Sequence, residues 1–137
     1  MLFGTAAALV LVLVESIVVT YFIGTSRWCK EVVEAYDLDR SLIQQSNFIK
    51  RRTFPWALFS MLVIVGVISL GAAADPGTGR IHTEAWATPH LIGALAGLCF
   101  ITLAAIVEWN SIHANQALIE HILAEVKRIR SERGLEV

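Results

Sequence analysis

Charged side chains are scarce in this chain. Only 17% of its 137 residues are Asp, Glu, Lys or Arg, against about a quarter in soluble domains. Hydrophobic residues make up 55%, and the mean hydropathy is +0.62. This composition excludes an ordinary water-soluble domain. The chain also lacks an excess of basic residues, with a formal net charge of −1, so we expect no nucleic-acid partner.

Cysteines and catalytic groupings are equally sparse. The two cysteines, Cys29 and Cys99, cannot build a disulfide framework, and we expect them to be reduced thiols. Ser, His and Asp form no nucleophilic constellation, and the glycines after Asp75 are typical of a turn. The sequence therefore indicates no catalytic activity of its own and identifies no cofactor.

What the chain does have is three long apolar runs, each able to cross a hydrocarbon core about 30 Å thick. We therefore predict an all-α integral membrane protein in contact with membrane lipid. The predicted segments are transmembrane helix 1 (1–24), a cytoplasmic helical connector (25–53), transmembrane helix 2 (54–74), an external loop (75–88), transmembrane helix 3 (89–110) and a cytoplasmic helical extension (111–137). Thr53 as N-cap and Pro55 in the first turn predict the start of the second helix. A signal peptide is disfavoured, because no basic residue precedes Arg27.

The basic residues predict the orientation. The connector contains Arg27, Lys30, Arg40, Lys50, Arg51 and Arg52, the external loop only Arg80, and the tail Lys127, Arg128, Arg130 and Arg133. By the positive-inside rule, the N-terminus is outside and the C-terminus cytoplasmic. We expect this orientation in a bacterial inner (cytoplasmic) membrane.

The extension of the third helix carries a heptad pattern. Its apolar a and d positions are Ile112, Ile119, Val126, Ile122 and Ile129, with Asn115 at one d position. Two interpretations are open: a coiled coil that joins subunits, or packing against the connector within one chain. The connector offers apolar faces at Trp28, Val32, Ala35 and Tyr36 and at Leu38, Leu42 and Ile49, and its second helix is predicted to begin at Asp37 or Asp39. A helical hairpin there would complete a three-helix cytoplasmic bundle.

Glu15 is the only charged residue in the first apolar run, and an ionised carboxylate at that depth costs several kcal/mol. Counting from the span ends places it level with Met61 and Leu62, and with Ile101 and Thr102. We expect its carboxyl group to be protonated and bonded to Ser60, Thr102 or a backbone carbonyl. The alternative is a cation, polar ligand or basic residue from another subunit. Proton handling would require a second titratable group in the membrane.

Two weaker patterns lie on the predicted external side. His82 and His90 flank Trp86, which suggests either interfacial hydrogen bonding or a haem or metal ligand shared with another chain. Gly93 and Gly97 form a Gly-x-x-x-Gly pattern, which permits close helix packing. Their predicted partner is the first span, near Gly4, or another subunit.

The order of these segments is similar to that of ExbB/TolQ-type proton-driven stator proteins. The run from Gly97-Leu98 through Ala104-Ala105 to Trp109-Asn110, about a fifth of the chain, resembles their third helix. The connector is far shorter than theirs, so neither proton conduction nor a pentamer is carried over.

Three functions are considered from the sequence. The leading hypothesis is a small non-catalytic subunit that packs against other membrane subunits or against copies of itself. The second is an ion- or proton-coupled homo-oligomer of stator or channel type that uses Glu15. The third is a redox subunit that ligates haem or metal through His90 or His82.

Overall fold

A computed structural model describes residues 2–134, and the predictions for residues 135–137 lie outside that range. The chain forms three long helices: α1 (Leu2–Tyr36), α2 (Ser41–Ala74) and α3 (Ala87–Glu132). Two short 3₁₀ turns, Pro76–Thr78 and Thr83–Trp86, join α2 to α3. All three helices are long and apolar enough to cross a membrane. Residues 2–134 contain no β-strand.

The predicted connector is not a separate element. α1 runs without interruption through its span into the connector, and α2 begins at Ser41 and continues into the second span. The predicted helix start at Thr53 is therefore wrong. Thr53 lies inside α2, where its hydroxyl donates to the carbonyl of Ile49 at 2.9 Å and its side chain is fully buried. The helix also accommodates Pro55 in its interior.

A tight turn joins α1 to α2. Asp37 adopts a left-handed conformation with φ of 53°, and the backbone N–H of Leu38 donates to the carbonyl of Val33 at 2.9 Å, which satisfies an acceptor at the end of α1. The carboxylate of Asp39 then accepts the N–H of Ser41 at 2.9 Å. These bonds end one helix and start the next within four residues, so α1 and α2 form an antiparallel hairpin.

Buried residues recur along each helix at intervals of seven. They are Ala8, Glu15, Phe22 and Cys29 on α1; Ser46, Thr53 and Ser60, with Ala57 and Ile64, on α2; and Gly97, Ala104, Ser111 and Leu118, with Glu108, Asn115 and Ile122, on α3. This period is that of left-handed coiled coils. One seam, defined by these residues, therefore runs the length of the bundle.

The composition of the seam changes along its length. Near the turn between α1 and α2 it is an apolar cluster of Cys29, Val33, Leu42, Leu118 and Ile122. Towards the opposite end the buried residues are mostly small or polar, while large apolar side chains face outward. That pattern is typical of helices packed in lipid, where small residues permit close approach.

The extension of α3 packs against α1 and α2 of its own chain, which is the second of the two interpretations of its heptad pattern. Among the predicted seam residues, Ile122 is fully buried, and Ile119 and Val126 pack partly buried against the apolar cluster. Ile112 and Ile129 are half-buried. The centre of the seam lies one position away from Ile112 and Ile119, at Ser111 and Leu118.

Candidate functional site: a buried carboxyl pair

Two glutamates meet inside the seam. The carboxyl groups of Glu15 on α1 and Glu108 on α3 interact with each other, and that of Glu15 also interacts with the hydroxyl of Ser60 on α2. Glu15 and Glu108 are each only 5% exposed, and Ser60 is fully buried. Each of the three long helices therefore contributes one oxygen-bearing side chain to a single buried group, which we call the carboxyl pair with Ser60.

The seven-residue period explains why these side chains converge. Glu15 lies seven residues before Phe22, Ser60 seven after Thr53, and Glu108 seven before Asn115, and all six are seam residues. Side chains at such positions point towards the neighbouring helices whatever their polarity. Helix geometry thus forces two acids into the interior.

The number of protons bound to the two carboxyl groups decides which hydrogen bonds this group can form. Oε2 of Glu15, Oε1 of Glu108 and Oγ of Ser60 are buried without a geometrically defined hydrogen-bond partner among the described residues. An ionised carboxylate can only accept hydrogen bonds, so two of them cannot bond to each other. One shared proton turns one carboxyl into a donor and removes one of two like charges. The arrangement is therefore suited to holding a single proton.

Basic groups do not offset the two acids. Across residues 2–134, neither glutamate belongs to an ion pair; the four pairs found lie on exposed helix surfaces. Nor do residues 2–134 contain a group of three His, Cys, Asp or Glu side chains that could hold a metal ion. Charge compensation by a protein cation is thus missing from the part of the chain described.

The structure corrects the predicted surroundings of Glu15. Ser60 is a neighbour, but Thr102 is exposed and donates its hydroxyl to the carbonyl of Leu98 in its own helix, at 2.8 Å. The residue of α3 level with Glu15 is Glu108, seven residues beyond Ile101, or about 10 Å along the helix. Counting from the span ends was misleading because it assumes that α1 and α3 leave the membrane at equal depth.

Further polar side chains lie in and beside the seam between the pair and the α1–α2 turn. Asn115 is 1% exposed, and its amide donates to the hydroxyls of Tyr21 at 3.1 Å and Thr25 at 3.0 Å. The hydroxyl of Ser26 donates to Oδ1 of Asn47 at 3.3 Å, and Nζ of Lys50 donates to that hydroxyl at 3.2 Å. Ser111, 5% exposed, lies between Asn115 and Glu108 on α3. We call these seven residues the polar column.

Beyond the pair, in the other direction, the interior is apolar. The seam continues through Ala8, Ile64, Gly97 and Ala104, and the helices separate around an open crevice of about 580 Å³. Leu11, Ile64 and Ile101 line the crevice nearest the pair, while Thr5, Asp75 and His90 line its far end. The pair thus lies between the polar column on one side and an apolar stretch of the seam on the other.

The predicted histidine site is placed in two different settings. His90 is half-buried at the start of α3, with its ring against Gly71 of α2: a Cβ at Gly71 would lie 3.0 Å from Cε1 of His90. His82 is exposed in the loop, with a left-handed φ of 61°. Only His90 lines the crevice.

The two glycines of α3 pack against α2, not against α1 as expected. A Cβ at Gly97 would lie 3.1 Å from Cγ2 of Val67 and 3.2 Å from Cγ1 of Val63. One at Gly93 would lie 2.8 Å from Cδ1 of Leu70. The reason is topological: α2 packs closely against both neighbours, while α1 and α3 separate at this end around the crevice.

Sequence reasoning identified Glu15 and Ser60 but missed Glu108, which lies beside Trp109 at the end of the third apolar run. A signal was present. Continuing the d positions of the predicted heptad back by seven residues from Asn115 gives Glu108.

The chain matches no family model, no curated protein and no solved structure.

Proposed function

We propose that this chain is an integral membrane protein that binds and releases a proton at the carboxyl pair with Ser60. The observation that carries the proposal is the contact between Glu15 and Glu108, each 5% exposed, without a basic partner among the described residues. Glu108 is the second titratable group that the proton-coupled alternative required.

Like-charge repulsion and burial both favour the singly protonated pair. Two carboxylates in contact in a medium of low dielectric repel each other strongly, and burial removes the water that would otherwise solvate both charges. If both carboxyls were protonated, each could donate a hydrogen bond, but the pair would have no carboxylate left to take up a further proton. One proton for two carboxyls leaves a group that can gain or lose a proton without rebuilding the bundle.

The features that suggested a partner subunit have contacts within the chain. Glu15 meets Glu108, and the heptad seam of the extension packs on α1 and α2. The accessory-subunit function, with other subunits or further copies of this chain as partners, therefore stays a prediction. Native mass spectrometry after mild detergent extraction tests it, and a lone monomer would contradict it.

Infrared difference spectroscopy of the protein in lipid vesicles tests proton binding, since a protonated carboxyl has a C=O stretch that a carboxylate lacks. We expect one buried protonated carboxyl per chain at neutral pH, and its loss in the double variant Glu15→Gln, Glu108→Gln. Each single Gln variant should fold, because the amide N–H replaces the shared proton as donor to the remaining carboxylate.

Glu34→Gln is the matched control, since Glu34 lies on the same helix as Glu15 but is exposed. This variant should keep the buried band unchanged. A wild-type protein without a titrating buried carboxyl band would refute the proposed function.

A further inference from the structure

The two directions out of the carboxyl pair differ in chemistry. Towards the α1–α2 turn the buried side chains include the polar Ser111, Asn115 and Ser26, together with Phe22 and then the apolar cluster. In the other direction, among residues 2–134, the seam contains only apolar residues up to the crevice. Hydroxyl groups relay protons, because an oxygen that receives one proton can pass its own to the next acceptor; methyl and methylene groups cannot.

We propose that the carboxyl pair exchanges its proton with the end of the bundle at which Lys50 lies, along the polar column, and not through the crevice. This inference rests on the proposed function and adds to it the direction from which a proton reaches the pair. The column reaches from Glu15 to Ser26, eleven residues or about 16 Å along α1. Phe22, 2% exposed, is buried on α1 next to Tyr21, so the polar groups at this level are the hydroxyl of Tyr21 and the amide of Asn115.

Proton balance along the column is simple. Each hydroxyl oxygen accepts one proton and releases another, so the net change is one proton added at the pair and one removed from solvent. The titratable groups on the column are Tyr21 from α1 and Lys50 from α2, and α3 supplies Ser111 and Asn115, which do not titrate. Lys50, half-buried, is bonded to Ser26 and marks the solvent end.

Asn115 is the positioning residue of the column. Its amide holds the hydroxyls of Tyr21 and Thr25 together, at 3.1 and 3.0 Å, although they belong to a different helix. Without that amide, both hydroxyls lose the donor that connects them to α3, although Thr25 still donates to the carbonyl of Tyr21 in its own helix at 2.9 Å. The effect should appear in the rate of proton exchange and not in the equilibrium at the pair, because Asn115 is seven residues from Glu108.

The experiment is a pH jump applied to one face of vesicles that contain full-length protein of known orientation, followed through the infrared band of the buried carboxyl. We expect a fast response only when the pH changes on the Lys50 side. Asn115→Leu should slow this response about tenfold, the effect of losing roughly one net hydrogen bond from the path. The pH midpoint of the band should stay as in the wild type.

Two control variants distinguish a disrupted fold from an interrupted proton path. Asn115→Ser replaces the amide by a hydroxyl, which can still donate a hydrogen bond, and should respond nearly as fast as the wild type. Asn110→Leu makes the same change at an exposed position of α3 and should have no effect. If Asn115→Leu does not fold, Tyr21→Phe removes one of the two oriented hydroxyls and should slow the response instead.

Unchanged kinetics in a folded Asn115→Leu or Tyr21→Phe variant would overturn this inference, as would a fast response to a pH jump on the crevice side. Neither result touches proton binding itself. Absence of a titrating band in the wild type would instead overturn the proposed function, so the two failures are distinguishable.

Discussion

Replacing Gly97 by alanine tests the close approach of α3 to α2. The added Cβ would lie 3.1 Å from Val67 and 3.2 Å from Val63, closer than the separation of about 3.5 to 4.0 Å at which two carbon atoms attract most. Valine in a helix has one strongly preferred side-chain rotamer, so neither methyl group can turn away cheaply. The helices themselves must separate.

The size of the effect follows from two opposing contributions. Alanine stabilises a helix interior by about 1 kcal/mol relative to glycine, whereas one extra methyl group in a packed interface costs about 1 to 3 kcal/mol. We expect Gly97→Ala to lower the free energy of unfolding by about 1 kcal/mol on balance. Reversible unfolding in mixed detergent, followed by circular dichroism, measures it.

Two other glycines calibrate the result. At Gly66, no atom of the described chain beyond the local helix lies within 4 Å of an added Cβ, so Gly66→Ala should raise the free energy of unfolding by up to about 1 kcal/mol. At Gly93, the contact is the terminal methyl of Leu70, which can rotate, so Gly93→Ala should fall between the two. A Gly97→Ala protein as stable as Gly66→Ala would refute the proposed packing.

Two further predictions concern the part of the bundle near the α1–α2 turn. Ile122 is fully buried in the apolar cluster, so Ile122→Ala should lower the free energy of unfolding by about 2 to 5 kcal/mol, while Leu123→Ala, at a position 50% exposed, should change it by less than about 0.5 kcal/mol. The N–H of Ser41 lowers the pKa of Asp39, so its stabilisation of the start of α2 is present above the unfolded pKa and lost as the pH falls through the lower folded pKa. Amide hydrogen exchange at residues 41–44 should accelerate over that acidic range, and Asp39→Ala should abolish the pH dependence; equal pH dependence in the variant would contradict it.

Much of the architecture could be predicted from apolar run length alone. Three runs of about 20 residues predict three helices that can cross a membrane, and the structure contains them. Helix boundaries were harder. Thr53 followed by Pro55 has the local chemistry of a helix start, but the same residues are compatible with a helix interior when Thr53 bonds to Ile49. Local propensity cannot decide between a helix start and a helix interior, because tertiary packing contributes more to the stability of a helix than one capping hydrogen bond does.

The carboxyl pair was harder to predict than the helices because it depends on the relative depth of α1 and α3. Hydropathy locates the end of an apolar span only to within several residues. An error of seven residues shifts the expected neighbour of Glu15 on α3 by about two helical turns. The heptad period is a better guide, since it fixes which residues share the interior without reference to the membrane. Extended from Asn115, it would have placed Glu108 in the seam with Glu15.

A change of solvent along one seam explains why acids are tolerated where they lie. Near the turn, burial of Leu42, Leu118 and Ile122 away from water can hold the helices together. In lipid that driving force is absent, and close backbone approach and polar contacts between helices take its place. A seam built for lipid is therefore free to contain carboxyl, hydroxyl and amide groups, provided that each finds a donor or acceptor. The carboxyl pair meets that condition only when it holds a proton, which links the stability of the bundle to the chemistry proposed for it.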